Sequence, residues 1–404
     1  MNMRWAFTHV IAGGQLVAWG TLYYTFAVLA PFVANASGTS SGTVALAYSV
    51  TLLVAGLSAR VAGPALDRYG AGPVMLAGAI AGPFALVLLS RIESPFTLWV
   101  AFVVLGVAQA VALYEPAFSA VVRLFHDVAE RRRALLIVTI VGGFASTVFV
   151  PLSTVLIGWH WRMGTMLLAG ILLVVALPTA VMLRASHSAR TAPGTDVSRK
   201  ILLDDDDAWH AGNVGTRRLA FAFATHAFAS AAAAVAFIWH FIDIGETPLR
   251  AAFLFGLVGA AQVPGRIVLG VFPNVLQERV RLPVLLSAQA ISLMAIALTR
   301  GLPLYAALLV FGAANGAITL ERATVTLSWF GVSRFGAVSG KLALYGLCGR
   351  AVAPALVDYA RSAVGYRIVF VGIAAVLAAG VMAFAHGSIA RQRWRIGGVE
   401  LRAV

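Results

Sequence analysis

Twelve apolar stretches constrain this chain more than any other feature, each near the ~20 residues a helix needs to cross the hydrocarbon core of a bilayer. They run over 7–33, 43–66, 72–90, 96–122, 134–157, 163–183, 218–242, 250–272, 282–299, 303–330, 336–360 and 365–386. Hydrophobic residues make up 60% of the chain and charged residues only 11%, too little charge for a soluble protein of 404 residues. The expected fold class is therefore an all-α polytopic membrane protein with twelve transmembrane helices. The first span is too long and uninterrupted for a cleaved signal peptide and reads as a retained anchor. A net charge of +14 raises nucleic acid as a partner, but the arginines fall between the apolar spans, which argues against it. Cys348 is the single cysteine and lies within a span. No CxxC or metal-ligand spacing is present, so neither a metal nor another cofactor is expected.

Lys and Arg set the expected orientation. With both termini cytoplasmic, nineteen of the thirty basic residues fall on the cytoplasmic side, six on the far side and five within spans. The stretch 184–217 is polar, carries the acidic run Asp204–Asp207 with flanking arginines, and reads as a flexible cytoplasmic linker. The expected organisation is a six-helix bundle over 1–183, the linker 184–217, a second six-helix bundle over 218–390 and a basic cytoplasmic tail over 391–404.

The halves repeat at an offset of about 205 residues. Glu115 matches Glu321, Trp161–Arg162 matches Tyr366–Arg367, Gly63-x-x-x-Asp67 matches Gly270-x-x-x-Asn274, and Arg60 matches Arg266. Internal repeats of this kind, with a site at their interface near the midplane, mark secondary transporters.

The loop GPALDRYGAGPVM resembles the signature between spans two and three of the major facilitator superfamily, with Gly63, Asp67, Arg68 and Gly70 at its positions. Ala71 and Gly72 stand where that signature usually continues with a basic pair. The fourth span, with Pro116, is also similar to the family's. This resemblance covers the whole chain and implies two pseudo-symmetric six-helix bundles with alternating access. The first span, WGTLYYTFAVLAPF, resembles that of the monocarboxylate and oxalate/formate-like group. In that group an arginine of span eight and a basic residue of span eleven bind substrate carboxylates, which here match Arg266 and Arg350. Gln262 stands where monocarboxylate porters place an aspartate.

The residues themselves keep several roles open. Arg350 lies about halfway along its span, where a cation costs roughly 2.5–3.5 kcal/mol and should face protein or a water-filled cavity. It can hold a carboxylate, or pair with Glu115 or Glu321. Arg266 can bind substrate, pair with an acidic group, or bond to backbone carbonyls. Trp19, Tyr23, Gln109 and Asn315 are candidate lining residues, against plain packing. Glu115 and Glu321 can carry protons or form salt bridges with Arg60, Arg322 and Lys341. With Gly63, Asp67, Arg68, Gly70 and Lys341 they form the candidate cytoplasmic gate. His226 and His240 read as polar helix contacts. Pro151 and Pro354 suggest kinks.

The resulting expectation is a secondary carrier of a small carboxylate, by proton symport or anion exchange, in a bacterial inner membrane, monomeric and without nucleic acid. The alternative is a proton-coupled exporter of amphiphilic drugs or metabolites. No GxxxxGK[ST], HExxH or GxSxG is present, so no nucleotide site or catalytic residue is expected.

Overall fold

The computed structural model describes residues 3–125, 127–188, 206–272 and 275–390, and every regular element among them is a helix. In chain order these are α1 (Met3–Trp19), a π-helical turn (Gly20–Tyr24), α2 (Phe26–Ser37), α3 (Ser41–Tyr69), α4 (Ala71–Ser90), α5 (Pro95–Ala112), α6 (Tyr114–Leu124), α7 (Val128–Gly143), α8 (Ala145–Trp159) and α9 (Trp161–Ser188). There follow α10 (Asp206–Asp243), α11 (Pro248–Val271), α12 (Glu278–Leu298), α13 (Leu302–Phe330) and α14 (Phe335–Ala390). Half of the expected linker (189–205), part of the Asp204–Asp207 run, the tail 391–404 and Asn274 lie outside the described residues.

Eleven helical stretches among the described residues are long and apolar enough to cross a membrane. The expected eleventh span is not one of them, because Lys341, Arg350 and several glycines lower its apolarity. It is helical all the same. The expected break between spans eleven and twelve falls at Gly365: α14 is two helices that meet at a kink there, where φ 74° and ψ 165° leave helical geometry.

The helices break where side chains from neighbouring helices can repair the backbone. The first span passes through a π-helical turn, and the fourth is interrupted at Leu113, with φ −83° and ψ −154°. Gln109 donates its amide N–H to the Leu22 carbonyl at 2.8 Å, and Gln15 donates to the Ala112 carbonyl at 2.9 Å. Thr25 donates to the Gly20 carbonyl at 3.0 Å and shares a 2.8 Å hydrogen bond with Ser153. Hydrocarbon offers no water to do this, so an interrupted membrane helix needs such donors from protein. Kinks are expected at Pro151 and Pro354. Both prolines lie inside helices, and the fifth span is interrupted at Phe144.

One apolar core draws on Val17 to Leu172 and another on Leu219 to Phe384. A third joins residues of α1 to α9 with Leu320, Ala323 and Phe335. The repeat offset reappears in the packing. A Cβ on Gly106 of α5 would lie 2.6 Å from the Thr51 carbonyl of α3, and one on Gly312 of α13 would run into the Val258 carbonyl of α11.

The tightest crossing between the two groups of helices is α3 with α14. A Cβ on Gly63 would collide with the Gly336 carbonyl, and one on Gly340 with the Ala59 carbonyl. A Cβ on Gly56 would sit 3.2 Å from the Leu344 Cα. Glycine lets these backbones approach as no other residue could. At the repeat-related position Gly270 packs against the Leu136 side chain of α7.

Gly63→Ala should therefore destabilise the protein by about 1–3 kcal/mol through overpacking. Gly170→Ala, with nothing within 4 Å of the added carbon, should not. Melting temperatures of the two purified variants check this, and equal midpoints would contradict the crossing.

Candidate functional site

The π-helical turn places an aromatic cluster in the middle of the first span. Trp19 lies 5.2 Å from Tyr23, 6.4 Å from Tyr24 and 4.8 Å from Tyr114, between ring centroids. Tyr23 in turn lies 5.1 Å from Tyr24 and 6.0 Å from Tyr48. Tyr48 donates to the Tyr23 carbonyl at 3.4 Å. The indole Nε1 of Trp19 is buried with no hydrogen-bond partner. Gln109, expected to line the pocket, is 3% exposed and has its amide N–H on Leu22, so it holds the π-helical turn in place.

Both span arginines face this cluster. Arg266 and Arg350 are within electrostatic reach of Tyr24, and Arg350 also of Tyr48 and His226. They differ in their partners. Arg266 is buried, donates to the Thr139 carbonyl at 3.0 Å and to the Gln262 side-chain oxygen at 3.2 Å, and lies over Gly143 of α7. It thus ties α11 to α7 through neutral acceptors, and no carboxylate pairs with it among the described residues. Arg350 is half-buried, and among the described residues its guanidinium makes no hydrogen bond and no ion pair. It is a mid-span cation with no counter-ion among the described residues.

Opposite the aromatic cluster lies a polar network on α10, α12 and α13. His226 Nδ1 and Gln289 Oε1 are 2.9 Å apart, and Gln289 donates to Asn315 Oδ1 at 3.4 Å. Ser230 donates to the same Asn315 oxygen at 2.5 Å. With Gln289 oriented this way, His226 carries its proton on Nδ1 and leaves Nε2 as an acceptor. His240 instead packs among Phe241, Tyr366 and Phe370.

The expected gate residues collect at the end where α3 meets α14. Asp67 accepts from the backbone N–H groups of Gly336 at 2.9 Å and Ala337 at 2.7 Å, in the first turn of α14, and from Arg123 at 3.3 Å. A carboxylate there meets both free N–H groups and the positive end of the helix dipole. Arg68 lies over the Tyr69 ring at 5.2 Å, and Gly70, at φ 81°, ends α3. Glu115 pairs with Arg322 across the two groups of helices. Glu321 is fully buried and pairs with Arg281 at 2.9 Å, aided by Thr324. Arg60, expected near these glutamates and opposite Arg266, is exposed; Lys341 stands within its electrostatic reach.

Sequence reasoning missed Tyr48, Tyr114, Gln289, Ser230 and Arg281. Arg281 lies in the first turn of α12 and is 5% exposed. Its place four residues after Gln277, at the start of an apolar span, gave no sign of a partner on another helix. Among the described residues no group of three His, Cys, Asp or Glu could hold a metal ion.

The family model described as Major Facilitator Superfamily matches residues 11–320. No curated protein matches the chain. Among solved structures, the human organic anion transporter MFSD10 (TETRAN) is 15% identical with a TM-score of 0.70, covering 95% of this chain and 100% of its own. A variant of the E. coli fucose:proton symporter FucP is 12% identical with a TM-score of 0.71, covering 93% and 97%. FucP in the outward conformation is 12% identical with a TM-score of 0.69 over the same shares. At these identities the likeness is one of fold.

Removing Arg281 should leave Glu321 as an unpaired buried charge, so Arg281→Met should cost about 3–5 kcal/mol. Arg281→Met combined with Glu321→Leu should recover most of that loss. A double-mutant cycle on melting temperature checks it; a double variant no more stable than the single would contradict the pairing.

Proposed function

Since the chain belongs to the Major Facilitator Superfamily, we propose that it is a secondary carrier of a small organic anion, a mono- or dicarboxylate, held at Arg350. Two six-helix bundles, 1–183 and 218–390, rock about this site, with 184–217 as linker and 391–404 as tail. The observation that carries the reading is the Arg350 guanidinium, mid-span, with no counter-ion among the described residues and within electrostatic reach of Tyr24 and Tyr48. A carboxylate would supply the missing charge through a bidentate, charge-assisted contact. Tyr23, Tyr24 and Tyr48 would border the anion, with Trp19 behind them, and Asn315 with His226 would complete the opposite wall. Arg266 would add positive potential, and its carbonyl contacts make it a bridge between bundles first. Gln109 and Gln262 would position the π-helical turn and Arg266.

The Asp67–α14 clasp, with Gly63, Arg68, Gly70, Lys341 and the Glu115–Arg322 pair, would serve as the cytoplasmic gate, closed in this conformation. Glu321 with Arg281 would brace it. Both termini would be cytoplasmic, in a bacterial inner membrane, and the carrier would act as a monomer by proton symport or anion exchange. The likeness to an organic anion transporter agrees with this reading, although FucP carries a sugar with protons on the same fold. Export of cationic amphiphiles would need an uncompensated acid in the cavity. The two glutamates within the expected spans are each paired with arginine.

Thermal stabilisation of the purified protein against carboxylates, amines and sugars tests the proposal. A ligand at roughly a hundredfold its Kd stabilises by about 2.7 kcal/mol. A carboxylate should raise the melting temperature of the wild type, less for Arg350→Lys and not at all for Arg350→Gln. A shift by cationic amphiphiles alone, or an equal response of Arg350→Gln, would overturn it.

A further inference from the structure

At the end of the bundle away from Asp67, the α4–α5 and α8–α9 turns border an open depression of about 250 Å³ lined by Arg91, Glu93, His160, Arg162, Met163 and Met166. Its cations are unevenly engaged. Arg162 is seated, donating to the Ser90 carbonyl at 3.0 Å and the Ile92 carbonyl at 3.4 Å and lying over the Trp161 ring at 4.6 Å. The acidic residue beside it, Glu93, is 3.6 Å away and 74% exposed. A solvent-screened pair of that kind is weak. Arg91 is exposed, and among the described residues its guanidinium makes no hydrogen bond or ion pair. His160 accepts at Nδ1 from the Met163 N–H at 3.3 Å. Its neutral ring therefore carries the proton on Nε2 and offers a donor there. Two guanidinium groups and an imidazole N–H thus share one opening with a single, loosely held carboxylate.

The surroundings belong to a membrane boundary rather than to bulk water. The depression lies where apolar helices end, at Ser90 of α4 and at the start of α9. Trp159 beside it is 74% exposed, and Met163 and Leu167 of α9 are 47% and 43% exposed. Tryptophan at span ends sits at headgroup level. Basic pockets at that depth suit anionic lipid headgroups.

We propose that this depression binds the phosphodiester headgroup of an anionic phospholipid, with Arg91, Arg162 and His160 as donors and the acyl chains lying along Met163 and Leu167. The site is separate from Arg350 and does not depend on what the carrier moves.

Retention of phosphatidylglycerol against phosphatidylcholine by the full chain, purified from mixed-lipid nanodiscs and read by native mass spectrometry, tests it. Each cation near the surface contributes about fivefold to such a preference. Arg91→Gln, which removes one of the two guanidinium groups, combined with His160→Gln, which removes the imidazole donor, should therefore weaken the preference by about fivefold or more. Arg162 stays intact in that variant because it holds the α4–α5 turn. Glu93→Gln, which frees Arg162 from its neighbour, should raise retention above wild type. The proposal fails if the double variant and Glu93→Gln both retain phosphatidylglycerol as wild type does. It fails equally if millimolar inorganic phosphate stabilises the lipid-free protein as much as phosphatidylglycerol does, since the site would then take a soluble anion.

Discussion

Inside a bilayer no water stands ready to satisfy a backbone group or a charge, and almost every polar feature of this chain is an answer to that absence. Helix interruptions at Gly20–Tyr24 and Leu113 are matched by side-chain amides of Gln109 and Gln15. Buried Glu321 has Arg281, and Asp67 has two backbone N–H groups of α14 and Arg123. Arg350 stands apart from this pattern: it is half-buried near the middle of its expected span, and its guanidinium has no hydrogen bond or ion pair among the described residues.

The contacts between the two groups of helices concentrate at the same end as Asp67. Glycines at 56, 63, 336 and 340 bring α3 and α14 to backbone distance, and Arg266 fastens α11 to α7. Apart from the Arg322–Glu115 pair, these joints use neutral acceptors, backbone amides and close packing rather than buried ion pairs. Two of these joints set a single charge against neutral partners, Asp67 against two backbone N–H groups and Arg266 against the Thr139 carbonyl.

Much of the architecture was legible in the sequence because its cause is composition. Runs of apolar residues give spans, and the repeat offset that aligns Glu115 with Glu321 reappears in the matched Gly106 and Gly312 contacts. The loop Gly63 to Gly70 was recognisable by its spacing, and its carboxylate does meet a helix N-terminus. Break positions within spans were not legible. Proline draws the eye to 151 and 354, yet the chain breaks at Leu113 and Phe144, where tertiary partners allow it. The break at Gly365 was legible, because a glycine among polar neighbours separates the last two apolar runs, and the chain does leave helical geometry there. Partners were the least legible: that Arg281 finds Glu321, or that Tyr48 and Tyr114 join Trp19 and Tyr23, depends on contacts between distant helices.

The most direct test of an uncompensated cation in the cavity needs no knowledge of the substrate. In a Cys348→Ser background, Tyr24→Cys can be modified with anionic and cationic thiol reagents of equal size. A positive cavity should make the anionic reagent faster by roughly tenfold or more, and Arg350→Gln should remove most of that difference. Equal rates in the presence of Arg350 would mean that its charge is already neutralised and that no anion site exists there.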